Sequence, residues 1–399
     1  MPAAHSSTHG GADDPSIDLL ETPLGPAMLP SLAWRRGLDV AGATVGQTPA
    51  TEVWRENKAR LLRYEPLREV ESQAAGEPGP AAGPPTEAEP TAAARTRAAA
   101  RPTASDRQEN APILLVYAVI NRPSILDLQP DRSVVRQFLA RGFDVYLLDW
   151  GEPSRLDAAL GFEDYVTRYL ADAVATVRER TGHQAIHLFG YCTGATLATM
   201  YAALSPETVR TLAFLAPLLS FDTAEGIFAR WGTADRISPD LVSGTFGNAP
   251  GEFLAAEFAM QDPVEYSLGR YLRLATRLDD RAYVRRTGRR LRWGFETVDV
   301  PGRLYEQFLD LYLEDSLMAG DLQLGGERVD LDALEMPILD VLATGDRFVP
   351  AAASLPFLER VPSEDTTAIQ VPTDHVGLSI SALAHESLWP MVCDWYDRR

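Results

Sequence analysis

Lysine is almost missing from this chain: Lys58 is the one lysine among 37 basic residues, which face 56 acids for a formal net charge of −19. Such a balance excludes nucleic acid as a partner, because phosphate binding needs basic surface. With little isoleucine beside abundant Asp and Glu, it fits a salt-adapted surface that stays hydrated when salt screens its self-repulsion. Cysteine is scarce too. Cys192 and Cys393 are the whole complement, too few for a disulfide framework and in keeping with a reducing interior. No apolar run reaches the roughly 20 residues a membrane-spanning helix needs. The first basic residue is Arg35, and no hydrophobic stretch before it resembles a secretory signal. The expectation is a cytoplasmic protein with no transmembrane segment. His5 and His9 have no spacing that closes a metal site, so neither a metal nor a cofactor is expected.

What is present suffices for a sizeable core. Of 399 residues, 45% are hydrophobic and 23% charged, the profile of one large or two ordinary soluble domains. Residues 1–30 lack periodicity and read as a disordered tail. Residues 31–72 read as an N-terminal helical segment, because apolar residues recur at helical spacing from Glu52 to Tyr64 and Pro66 follows. Residues 73–110, rich in Ala, Pro, Gly and Glu, read as a linker. From Pro112 onward, apolar strands alternate with amphipathic helices. Ile113–Tyr117, Gly142–Leu148 and Thr211–Ala216 read as strands, and Arg132–Arg141 and Phe162–Arg180 as helices. This alternation predicts an α/β fold with a mostly parallel, doubly wound sheet, whose chemistry sits at the carboxyl ends of the strands. Residues 111–221 and 331–399 supply that core. Residues 222–330, richer in aromatics, Arg and Gly, read as a helical cap inserted over the strand ends.

The most informative stretch is Ile186-His-Leu-Phe-Gly190-Tyr191-Cys192-Thr193-Gly194-Ala195. An apolar strand, a Gly-x-Cys-x-Gly turn and a small-residue helix start form the pattern of a nucleophile elbow, with cysteine in place of serine. The bend strains its central residue and leaves no room for side chains two positions away. A buried packing cysteine is the competing reading of the pentapeptide alone. Partners further along decide against it. A thiol nucleophile needs a base, and the base needs an acid to fix its tautomer. In an α/β-hydrolase fold these follow in the order nucleophile, acid, histidine. Asp346 comes after the predicted strand Pro337–Ala343, and His375 after Thr367–Val371. Asp374, adjacent to the histidine, is the weaker candidate acid. His183, His187 and His385 read as structural. Oxyanion donors are expected from the backbone of Thr193 and of Ile120, in the loop after the first core strand, with Asn121 beside it as a substrate contact. The basic island Arg281–Trp293 offers Arg285 and Arg289 to phosphate groups of a ligand, against the plainer reading of a solvated face.

With those residues in place the chain resembles the catalytic subunit of class III polyhydroxyalkanoate synthases of the haloarchaeal type. The likeness rests on Glu52-Val-Trp-Arg, on Asn121-Arg-Pro-Ser-Ile-Leu-Asp-Leu128, and on Asp149-Trp-Gly-Glu-Pro153. It extends through Gly190-Tyr-Cys-Thr-Gly194, Gly345-Asp346 and His375-Val-Gly377. It implies an α/β-hydrolase fold with Cys192 as nucleophile, Asp346 as acid and His375 as base. The implied substrate is a 3-hydroxyacyl-coenzyme A and the product a growing polyester at a cytoplasmic granule surface. A second, PhaE-type subunit and homo-oligomers are implied as well. Arg347 departs from the histidine often found after the family's acid. The Ala/Pro-rich stretch is longer, and the sequence after the last helix shorter, than the resemblance leads one to expect. Two other functions compete: a cysteine-dependent thioesterase or polyester depolymerase on the same fold, and a non-catalytic granule-associated or scaffold paralogue.

Overall fold

A computed structural model describes residues 45–67, 110–221, 239–260 and 262–399. The tail, most of the linker and the first part of the cap, read above from sequence, lie outside these residues, as do His5 and His9. An eight-stranded sheet organises the core. In chain order its strands are β1 (Ala50–Glu56), β2 (Ala59–Tyr64), β3 (Ile113–Val116), β4 (Val145–Asp149), β5 (Ile186–Tyr191), β6 (Val209–Leu215), β7 (Ile338–Ala343) and β8 (Thr366–Val371). Across the sheet they run β1-β2-β4-β3-β5-β6-β7-β8, parallel from β4 to β8 and antiparallel at the β1-β2-β4 edge.

The strands are continuous apolar runs because both faces are covered. Along β3, Ile113 and Leu115 enter one core while Leu114 and Val116 enter the other, the period of two that a pleat imposes. On the first face lie α2 (Ala171–Thr181), which continues a π-helical stretch Asp164–Leu170, then α3 (Thr193–Leu204) and α9 (Leu355–Arg360). On the second lie α1 (Val134–Ala140), α10 (Gly377–Ile380) and α11 (Trp389–Tyr396). The chain leaves β3 toward β4 and returns to β5 on the other side of β3. The order therefore reverses at β3, and a crevice opens at the carboxyl ends of β3 and β5.

One expectation fails. Glu52 to Tyr64 is not helical but forms the β1–β2 hairpin, turned at Asn57, whose φ is 50°. Trp54 lies opposite Leu61 across the hairpin. That seven-residue separation mimics two helical turns in the sequence and is in fact a cross-strand pair. Leu61 packs fully buried, and β2 pairs with β4, so the hairpin extends the main sheet instead of standing apart.

Between β6 and β7 the described part of the cap runs α4 (Pro239–Phe246), α5 (Gly251–Ala259), α6 (Arg270–Ala275), α7 (Arg281–Phe295) and α8 (Gly302–Glu314). Its amphipathic α8 buries Leu304, Phe308 and Leu311 against the first core.

Candidate active site

Cys192 sits between β5 and α3 with φ 54° and ψ −123°, a conformation costing on the order of 1–3 kcal/mol that tight neighbours must hold in place. The glycines explain how the bend closes. A Cβ on Gly190 would stand 2.4 Å from the Ala195 Cα, and one on Gly194 would stand 2.3 Å from the Val116 carbonyl oxygen. Only bare backbone lets α3 start so close to the end of β3. The Cys192 N–H donates to the Leu215 carbonyl (3.0 Å), which ties the bend to the neighbouring strand. Cys192 is partly exposed, Cys393 is buried, and both are free.

The sheet brings the expected partners to this point. Asp346 follows β7, with its side chain wholly buried. One carboxylate oxygen accepts the N–H groups of Phe348 (2.8 Å) and Val349 (2.9 Å), and the other accepts His375 Nδ1 at 2.6 Å. Because Nδ1 faces Asp346, Nε2 is left for the thiol, and Cys192 is among the groups whose influence reaches the imidazole. Burial works against the imidazolium. The Asp346 charge, Tyr191, the bond to Asp346, and Cys192 outweigh it, so the His375 pKa is lifted well above its usual value. Asp374 points elsewhere: its carboxylate accepts the Gly377 N–H (2.6 Å) and meets Arg290 (3.4 Å). His187 is buried beside Thr211 (2.8 Å), and burial, with Arg210 and His183 near, lowers its pKa to about 3. His385 is bonded to the Ser379 carbonyl. Neither ring reaches the elbow's partners.

Thr193 opens α3, so its N–H has no intrahelical acceptor. Its hydroxyl oxygen accepts the Val119 N–H at 3.2 Å, which fastens the loop carrying Ile120 to the elbow. Asn121, at φ 67°, turns that loop and lines a narrow cleft with Trp150 and the cap's Val298. The described cap closes over these loops from several directions. Phe258 meets Phe348 edge-on at 5.3 Å, Arg347 pairs with Asp262, and the Trp293 indole donates to the Arg122 carbonyl (2.7 Å). Arg289 donates to Gln129 (2.8 Å), whereas Arg285 is exposed on α7. The two arginines proposed together thus differ, one bridging cap to core and one facing solvent. Tyr312 of α8, buried against Phe221 at 4.5 Å, comes within electrostatic reach of the Cys192 sulfur. A larger cavity of about 390 Å³ opens at the opposite, amino edge of the sheet, lined by Arg63, Asp144, Arg180 and His183. Cys192, Asp346 and His375 are not among its lining residues.

A model of the alpha/beta hydrolase fold matches residues 112–377. The Haloferax mediterranei poly(3-hydroxyalkanoate) polymerase subunit PhaC is 44% identical over 370 residues, covering 92% of this chain and 68% of that one. The chain belongs to the PhaC family. The Haloarcula marismortui PhaC subunit is 42% identical (89% of this chain, 69% of that one), and the Allochromatium vinosum subunit 35% identical (74% and 84%). Among solved structures, a lipase candidate from Sulfolobus solfataricus aligns with a TM-score of 0.51 at 13% identity, covering 88% of this chain and 99% of that one, a likeness of fold alone. Membership in the PhaC family makes this chain an enzyme of polyester synthesis, a transferase on a hydrolase fold. No described helix is long and apolar enough to cross a membrane.

Sequence reading passed over two residues of the site. The Tyr191 ring stacks on the His375 imidazole at 5.3 Å and 27°, and Phe348 meets the same imidazole edge-on at 5.7 Å. Each is close in sequence to another member of the trio, Tyr191 preceding Cys192 and Phe348 following Asp346 by two. That proximity was the available signal.

Proposed function

We propose that this PhaC member polymerises 3-hydroxyacyl-coenzyme A, short-chain units such as 3-hydroxybutyryl-coenzyme A in particular, through a covalent thioester on Cys192. The observation that carries the reading is a cysteine at the strained elbow of an α/β-hydrolase sheet, together with an imidazole that a buried carboxylate holds at 2.6 Å. His375 takes the Cys192 proton at Nε2. The thiolate adds to the substrate's thioester carbonyl, and the backbone N–H groups of Thr193 and Ile120 receive the developing oxyanion. The carbon–sulfur bond to coenzyme A then breaks, and the His375 proton leaves with the coenzyme A thiol. One thioester replaces another, so the acyl group stays activated. The hydroxyl of an incoming 3-hydroxyacyl-coenzyme A gives its proton to His375 and attacks the Cys192 thioester. An ester bond forms, the Cys192 sulfur departs, and the lengthened chain returns to Cys192 by the same exchange. Water would compete with the hydroxyl, so the cap's role is to exclude it.

The partners follow from the same reading: a growing polyester at a granule surface, a PhaE-type second subunit and a homo-oligomeric assembly. The test is purified full-length protein given 3-hydroxybutyryl-coenzyme A in high salt, with and without a PhaE-type subunit, following coenzyme A release and polymer together. Matched release and polymer, both lost in Cys192→Ala, support the reading. Free hydroxy acid without polymer makes the protein a thioesterase or depolymerase. Cellular polymer left unchanged by Cys192→Ala makes it a non-catalytic paralogue.

A further inference from the structure

Tyr191 belongs to the nucleophile's own bend, yet both its hydroxyl and its ring meet the base. Its hydroxyl donates to the His375 backbone carbonyl at 2.9 Å. Its ring lies nearly parallel to the imidazole, 5.3 Å between centroids and 27° between planes. Tyr117, at the end of β3, meets the Tyr191 ring edge-on at 5.5 Å and backs it from the sheet side. Burial raises the Tyr191 pKa to about 12, so the phenol remains a neutral donor at working pH. His375 itself stands on the turn between β8 and α10, and nothing in that turn ties it covalently or by ladder bonds to the elbow. The two grips of Tyr191 supply the connection.

We propose that Tyr191 is a positioning residue that references the His375 imidazole to the nucleophile's backbone. Because residue 191 is bonded directly to residue 192, any small movement of the elbow carries the clamp with it, and the spacing between sulfur and Nε2 is preserved. The ring has a second effect. Taking the thiol's proton makes His375 a cation, and an aromatic face stacked on it favours the charged form. The groups facing His375 are Asp346 from the loop after β7, Tyr191 and Cys192 from the elbow, and Tyr266 from the cap, with Asp374 and Arg290 further out. Asp346 sets the imidazolium's charge balance, while Tyr191 sets its place and tilt. A hydroxyl alone or a ring alone would leave one degree of freedom open: the loop could slide, or the imidazole could rotate about its Cβ.

This inference rests on the reading of Cys192 as nucleophile and His375 as base. The experiment compares wild type, Tyr191→Phe, Tyr191→Met and His375→Ala, all full length, for iodoacetamide alkylation of Cys192 across pH, and for kcat and KM with 3-hydroxybutyryl-coenzyme A. Far-UV circular dichroism confirms folding of each. Tyr191→Phe keeps the ring and loses the carbonyl bond, and should lower kcat about fivefold with KM unchanged. Tyr191→Met loses both and should lower kcat about 100-fold, the cost of a misplaced catalytic group, and should displace the pH profile of alkylation. The rescue from Met to Phe, together with the displaced profile, is what a merely structural role would not produce. Folded Tyr191 variants with wild-type kcat and alkylation profile overturn the inference. So does Tyr191→Phe losing as much as Tyr191→Met. If wild type is alkylated no faster than His375→Ala, the parent reading of the base fails instead, and the two failures are told apart.

Discussion

The hydroxyl oxygen of Thr193 accepts the backbone N–H of Val119, 3.2 Å away. This single bond links the two backbone segments that would share an oxyanion: the elbow, through Thr193 itself, and the loop after β3, through Ile120. Thr193→Val preserves shape, removes the acceptor and leaves a buried N–H unpaired. Coenzyme A release should slow about tenfold, whereas Thr193→Ser should stay near wild type. Equal rates for Val and Ser would show that the loop is held by other means.

Asp346 and Asp374 are separated by function in the same way. Asp346→Asn removes the charge that raises His375 and should cut kcat by about 100-fold or more. Asp374→Asn should leave kcat within about threefold, because that carboxylate serves the Gly377 N–H and an exposed arginine. Similar losses in the two variants would mean the wrong acid has been chosen.

The hairpin shows why part of the fold escaped sequence reading and part did not. The continuous apolar runs of β3 and β5 admit one interpretation, since a strand covered on both faces has no other simple pattern. Gly190 and Gly194 were legible because backbone contact at the bend excludes a Cβ, a requirement local to five residues. Cys192, Asp346 and His375 could be ordered by where each strand ends. By contrast, Trp54 and Leu61 occupy spacings shared by a helix and a hairpin, and the decision between them depends on β4, some ninety residues away along the chain. The arginines of α7 were ambiguous for a related reason: whether Arg289 meets solvent or Gln129 depends on how the cap sits. Tyr191 was readable as a neighbour of the nucleophile, but its grip on His375 is a product of tertiary packing.

Asp340 predicts a pH signature remote from the site. It is fully buried on β7; burial, only partly offset by the Ser354 hydroxyl, raises its pKa from 3.8 to about 7, and its second oxygen has no partner among the described residues. A carboxyl that holds its proton more tightly when folded favours the native state at low pH, and that advantage is lost as pH rises from about 4 to about 7. Asp340→Asn does not titrate. Its unfolding free energy relative to wild type should therefore rise by on the order of 4 kcal/mol between pH 4 and pH 8. Denaturant melts across that range provide the check, and a constant difference would refute the buried, proton-retaining carboxyl.

If α7 receives coenzyme A phosphates, its arginines should differ by exposure. Arg285→Ala should raise KM for 3-hydroxybutyryl-coenzyme A about threefold to tenfold with kcat unchanged, an effect that shrinks in high salt. Arg289→Ala should act chiefly on the cap, through the lost bond to Gln129. An unchanged KM for Arg285→Ala removes that residue from the substrate's path.

The covalent bond to Cys192 is open to direct measurement. Protein quenched in acid during turnover of 3-hydroxybutyryl-coenzyme A, digested and read by mass spectrometry, should carry 3-hydroxybutyryl units on the peptide containing Cys192, and none in Cys192→Ala. An unmodified Cys192 peptide in samples that are releasing coenzyme A and making polymer would contradict it.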